Sequence, residues 1–429
     1  MLAASRNQLA ERPLIWLGAI TAGVIVTNLF APQILLGLIG RSMSMPAWQA
    51  GLISTLTLLG YALGLLLLVP LVDLVENRLV ILRTLGCAIL AALATALAPT
   101  PALLLLATFI LGACCAAIQM MVPLVASMVA PDRRGQAIGE VMGGLMIGIL
   151  LSRPAASLIA DLWSWRAYYV VSAALMALLA GALARYLPTL RPSARASYAD
   201  LLLSFPRLLR EEPVLRVRAW TASLVMASFT AFWSAVALRL PDAPFDLDAK
   251  GIAAFALIGV AGAAATPIAG RWGDKGRARP MFFAAHLLII GSLALCAWAS
   301  VLESQITGLL VLSLGTILLD VGITTDQTLG RRAINLLRPE ARGRMNGLFV
   351  ALFFVGGGIG AAAASLAWSF GAGRWSARWR QASACSASSR ISQPGPGRHD
   401  ADGQDDSWTS RRNTPLPAAA PVANEAWSK

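Results

Sequence analysis

Runs of about 20 apolar residues recur along this chain with short polar stretches between them, and no other feature narrows the fold as far. One such run, wound as an α-helix, crosses a hydrocarbon core of about 30 Å. Inside lipid every backbone N–H and C=O must be satisfied within the protein, so a spanning run of this length is helical. The chain is 57% hydrophobic and 13% charged, against about 45–50% and about 25% in soluble domains. The apolar excess is gathered into the runs. The expected fold is an all-α integral membrane protein in contact with a lipid bilayer.

Eleven spans are expected, at about 14–38, 48–71, 79–97, 102–130, 137–160, 167–187, 219–238, 251–270, 280–298, 306–325 and 345–370. The net charge of +13 does not point to nucleic acid, because the basic residues sit in short loops between the runs. Loops after even-numbered spans hold Arg78; Arg133 and Arg134; Arg191, Arg195, Arg207, Arg210 and Arg216; Arg271, Lys275, Arg277 and Arg279; and Arg331, Arg332, Arg338, Arg342 and Arg344. The alternate loops hold only Arg41, Arg166, Arg239 and Lys250. Positive charge stays inside, so the expected N-terminus is cytoplasmic, in a cell (inner) membrane crossed many times. The first run is too long for the apolar core of a signal peptide and is expected to be retained.

The longest internal loop, 188–218, separates six spans (1–187) from five (219–373). Its Tyr198–Leu215 stretch suits either an amphipathic helix on the inner leaflet or a simple tether. The halves repeat. Residues 131–139 read PDRRGQAIG and residues 339–347 read PEARGRMNG, a shared P-[DE]-x-R-G-x-x-x-G. At the same offset Gln119 matches Gln327 and Thr108 matches Thr316. The loop GRWGDKGRAR at 270–279 likewise corresponds to VPLVDLVENRLVILR at 69–83, with Asp274 matching Asp73. Parallel repeats of this kind give two bundles related by an axis along the membrane normal.

Two halves of this pattern, a charged G-x-x-x-D-[RK] loop after span 8 whose counterpart after span 2 keeps Asp73 and Arg78 but has Pro70 for Gly, and an R-G loop after spans 4 and 10 resemble the major facilitator superfamily over roughly 14–373. Stretches such as TNLFAPQIL (27–35) and SFTAFWSAVALRL (228–240) are similar to prokaryotic efflux-type members, of the sugar-efflux and drug:proton antiporter kind. The resemblance implies a central cavity lined by spans 1, 4, 7 and 10. It also implies a gate at the inner mouth formed by Asp73, Arg78, Gly270, Asp274, Lys275 and Arg277 with Arg134, Gly135, Arg342 and Gly343. In that arrangement Asp274 sits at the start of span 5 and Asp73 at the start of span 11, where a helix N-terminus favours a carboxylate.

Within the spans, Ser313, Thr316, Asp320, Thr324 and Gln327 form one polar stripe at helical spacing. A carboxylate inside a span is costly and faces a bundle interior or a wet cavity. Asp320 is therefore the first candidate for proton coupling or for holding a cationic substrate, with a structural ion pair as the alternative. Arg153 in span 5 meets a cavity or a partner acid, or snorkels outward. Gln119, Asn28, Gln33, Thr316 and Trp233 complete the candidate substrate and proton pathway, with interhelical hydrogen bonding as the alternative role. Asp326 is expected to be structural and His286 interfacial. Glycines 139, 143, 144 and 148 in span 5, and 356, 357, 358 and 360 in span 11, are expected to let backbones approach.

No enzyme constellation is present. There are two histidines, and no G-x-x-x-x-G-K-[ST] phosphate loop or CxxC metal spacing, so neither ATP, metal nor another cofactor is expected. A twelfth span is expected after residue 373, but the sequence there has no long apolar run. Either a shifted reading frame replaced it with a disordered tail (374–429), or the eleven-span product is natural. The chain is thus expected to be a monomeric secondary transporter exporting a small organic solute or drug by proton antiport. The alternatives are a uniporter, an uptake symporter, or a truncated protein that transports nothing.

Overall fold

The computed structural model describes residues 2–130, 133–189, 197–259, 278–338 and 341–391, without the side chains of 2–11, 342 and 372–391. The chain runs through α1 (Leu2–Ser42), α2 (Ala47–Leu67), a 3-10 turn (Val69–Asp73), α3 (Asn77–Leu97), α4 (Pro101–Cys114) and α5 (Ala117–Ser127). It continues through α6 (Arg134–Leu162), α7 (Trp165–Tyr186), α8 (Tyr198–Glu211), α9 (Pro213–Arg239) and α10 (Ala249–Ala256), the last leading into a 3-10 turn (Leu257–Gly259). The final helices are α11 (Ala278–Ala299), α12 (Gln305–Asn335) and α13 (Arg342–Ile391). Among the described residues, ten helical segments are long and apolar enough to cross a membrane, and Ala249–Gly259 is a shorter apolar one. These account for the eleven apolar runs. The eighth run, expected at 251–270, lies outside the described residues from 260 onward.

Local chemistry sets the helix starts. Thr100, Ser164, Asp248 and Ser304 each accept from the backbone N–H three residues on, which satisfies one orphan donor per helix. Pro101 and Pro213 occupy first-turn positions where a missing N–H costs nothing. Within the spans the buried Thr21, Thr57, Thr95 and Thr316 return their hydroxyls to carbonyls one turn back, so none of these four donors is left bare in the interior.

Close packing of α1 on α6 rests on small residues. A Cβ on Gly23 would lie 2.7 Å from the Gly144 oxygen, and one on Gly148 would lie 2.6 Å from the Gly23 Cα. Gly139 and Gly143, on the same helix, face open space. On α13, Gly356 and Gly360 abut the α9 backbone at Ser223 and Ala227, while Gly357 and Gly358 touch side chains of α9 and α2. The expectation of close backbone approach thus holds for part of each glycine set.

Helix α8 turns Leu201, Phe205 and Leu208 inward against the protein and leaves Leu203, Arg207 and Arg210 exposed. Tyr198 donates to the Leu67 oxygen at the end of α2 (2.8 Å). At its other end Glu211 and Glu212 pair with Arg338, at 3.0 and 2.6 Å. The segment is thus an amphipathic helix docked on the protein and not a free tether. The last helix runs to Ile391. Residues 374–391 contain no Pro or Gly, and the first breakers are Pro394 and Gly395.

Candidate functional site

A cavity of about 250 Å³ opens between α1, α2, α5, α6, α9, α12, α13 and the turn after α10. Most of its wall is apolar, including Leu29, Phe30, Leu145, Met226, Phe229, Phe353 and Phe354. The polar lining consists of Tyr61, Gln119, Arg153, Asp320, Thr324, Gln327 and Arg331. Four of the expected pathway residues therefore meet there: Asp320, Arg153, Gln119 and Gln327.

Arg153 is only 4% exposed. Its Nη2 donates to Gln33 Oε1 at 2.9 Å, and its guanidinium lies over the Trp233 ring at 4.1 Å, with Phe229 and Phe30 at 5.3 and 5.4 Å. The three rings offer negative π-faces to a desolvated cation. Gln33 and Trp233 thus act from behind the lining by holding Arg153. Asp320, 6% exposed, faces Arg153 without an ion pair at 4.0 Å or less. Its Oδ1 is buried with no hydrogen-bond partner, and Oδ2 sits by the bare Cα of Gly259. The Trp233 indole N–H points toward Asp320 but is not aligned as a full bond.

Two expected residues do not line this cavity. The Asn28 carbonyl oxygen accepts from Ser172 at 2.9 Å, joining α1 to α7. Thr316 bonds the Leu312 oxygen of its own helix at 2.8 Å. Among the gate residues, Asp73 has Arg344, in the first turn of α13, as its charged neighbour. Arg78 donates to the Ala184 oxygen near the end of α7. Arg134 is exposed, and Gly135 and Gly343 face open space. Arg342 begins α13, and its side chain is not described. Gly270, Asp274, Lys275 and Arg277 lie outside the described residues.

Sequence reasoning missed three features. Arg331 continues the stripe of Asp320, Thr324 and Gln327 one turn further, a signal present in the spacing. Tyr61 brings a phenol to the cavity, stacked edge-on against Phe354 at 4.6 Å. Away from the cavity, His286 Nε2 bonds Asp326 Oδ1 at 2.9 Å, and Arg218 lies over Phe282 at 3.6 Å. The stripe Gly308, Gly315, Gly322, which marks the face of α12 near α11, leads toward Asp326.

A bundle of helices long and apolar enough to cross a membrane, around a charged cavity, defines a polytopic membrane protein. The family model described as Major Facilitator Superfamily matches residues 15–361. The chain belongs to the major facilitator superfamily, and it is a transporter, not an enzyme. It is 34% identical over 359 residues to "Uncharacterized transporter YgaY" of Escherichia coli O157:H7, covering 83% of this chain and 89% of that protein. A Helicobacter pylori (strain G27) protein named "Probable sugar efflux transporter" is 25% identical over 344 residues, 80% of this chain and 85% of its own length. The fold matches a bacterial homolog of the human lysosomal transporter Spinster in an inward-facing, unoccupied conformation. That match has TM-score 0.67 and 16% identity, and covers 82% and 81% of the two chains.

Proposed function

We propose that this chain exports a small organic solute across an inner membrane in exchange for protons, with Asp320 as the proton-carrying group. The observation that carries this reading is a carboxylate 6% exposed on the cavity wall, with one oxygen unbonded and a guanidinium across from it. An acid in that setting is costly unless it is used. The name of the Helicobacter relative supports the outward direction. The arginine-rich loops support a cytoplasmic N-terminus. In this reading residues 1–187 and 219–373 rock as two halves of a monomer around the cavity, joined through 188–218. Asp73 beside Arg344 and its counterpart Asp274 act at the inner mouth.

A second reading, proton symport, is favoured by one observation: two guanidiniums face the cavity against one carboxylate. Inverted vesicles carrying a pH-sensitive dye distinguish them. Adding solute to acid-loaded vesicles should release protons for antiport and take them in with the solute for symport. Asp320→Asn should abolish both signals while leaving the protein folded. Full proton-coupled flux in Asp320→Asn would sink the coupling role.

A further inference from the structure

We propose that the cavity is built to bind a compact organic anion with an apolar body, of which an aromatic monocarboxylate is the simplest example. The proposal rests on the reading that this cavity is the transport site. Among the described residues its charged lining is Arg153 and Arg331 against Asp320, two positive groups and one negative, a net excess of one positive charge.

A guanidinium does not give up its proton inside a protein, so that excess needs an anion from elsewhere. Nε of Arg153 and Nε of Arg331 are both buried without a hydrogen-bond partner. Charged donors held in this way form their strongest bonds to a carboxylate, often two at a time. The rest of the wall is apolar and suits a hydrocarbon body. A cavity of about 250 Å³ lies below the usual ligand-pocket range of about 300–1,000 Å³, so the body is small.

Other solute classes fit less well. A cation would find one carboxylate, and the aromatic faces that would welcome it are already occupied by Arg153. A sugar needs a partner for each hydroxyl, and the neutral polar lining among the described residues is Tyr61, Gln119, Thr324 and Gln327. A proton on Asp320 raises the excess from one to two, so proton and anion reinforce each other, as the second reading, symport, requires.

The test is calorimetric binding to the full chain in lipid nanodiscs, with benzoate, benzyl alcohol and benzylamine as probes of matched size. Benzoate should bind at least tenfold more tightly than either of the others. Arg331→Gln should weaken benzoate binding at least tenfold, and Arg331→Lys should retain most of it. Asp320→Asn should tighten it, because it removes the negative charge that faces the anion. Tighter binding of the amine or the alcohol, no detectable benzoate binding, or unchanged benzoate affinity in Asp320→Asn would each overturn the proposal. Ile149→Trp, which fills the cavity beside Arg153, separates the two levels. If the amine binds best and this variant blocks it, the cavity remains the site and the anion is wrong. If benzoate binds equally well to the filled variant, the cavity is not the site.

Discussion

Gly148→Ala tests whether α1 and α6 are held together by backbone contact. The new methyl carbon would lie 2.6 Å from the Gly23 Cα, where carbon atoms in van der Waals contact sit at about 3.5–4.0 Å. The helices must part by about 1 Å, and neither side can rotate away because the obstruction is main chain. Overpacking of this kind costs about 1–3 kcal/mol, and backbone against backbone belongs at the upper end. Alanine's better helix propensity returns up to about 1 kcal/mol, so the net loss is about 2 kcal/mol. At about 2–4 °C per kcal/mol for a chain of a few hundred residues, the melting temperature should fall by about 4–8 °C. Gly143→Ala is the control, since nothing lies within 4 Å of its missing Cβ. It should leave stability unchanged or raise it slightly. The assay is loss of the monodisperse peak after heating in detergent. Equal melting of the two variants would refute close backbone packing as the cause.

Other contacts give independent tests. Tyr198→Phe removes the 2.8 Å bond to the Leu67 oxygen and should cost about 1 kcal/mol, read as a small drop in melting temperature. Arg338→Ala should free the end of α8 and speed tryptic cleavage at Arg207 and Arg210, and 1 M salt should do the same to the wild type, since exposed pairs are screened. No salt effect would mean that this pair does not hold the segment. His286→Ala leaves Asp326, 2% exposed, without its 2.9 Å partner and should destabilise by about 1–3 kcal/mol. Asp326→Asn should cost less than that, and thermal melting of both variants would show it.

The spans were legible because lipid imposes a single length and a single solution to backbone hydrogen bonding. The apolar runs could therefore be counted directly. Asp320, Gln327 and Gln119 were found for a similar reason, since polar atoms at helical spacing within a span define a face. Arg331 was one turn further along that face, but it was assigned to the loop because it sits beside Arg332. Arg153 was found, but its seat was not. Gln33, Phe229 and Trp233 come from two other helices, and the spacing within one helix carries no information about its neighbours. The same limit applied to Gly143 and Gly148. They are identical in sequence terms, and only one of them meets another backbone. His286 and Asp326 lie 40 residues apart on two helices, and only the packing of α11 on α12 joins them.

The Arg153 seat also makes the chain report on itself. The arginine belongs to α6, while the indole beneath it belongs to α9. Any movement that parts these two helices lifts the guanidinium from the ring and lets water reach Trp233. Indole emission shifts to longer wavelength when its surroundings become wet. In a variant whose other tryptophans are replaced, the colour of Trp233 fluorescence would follow the opening and closing of the molecule without an attached dye.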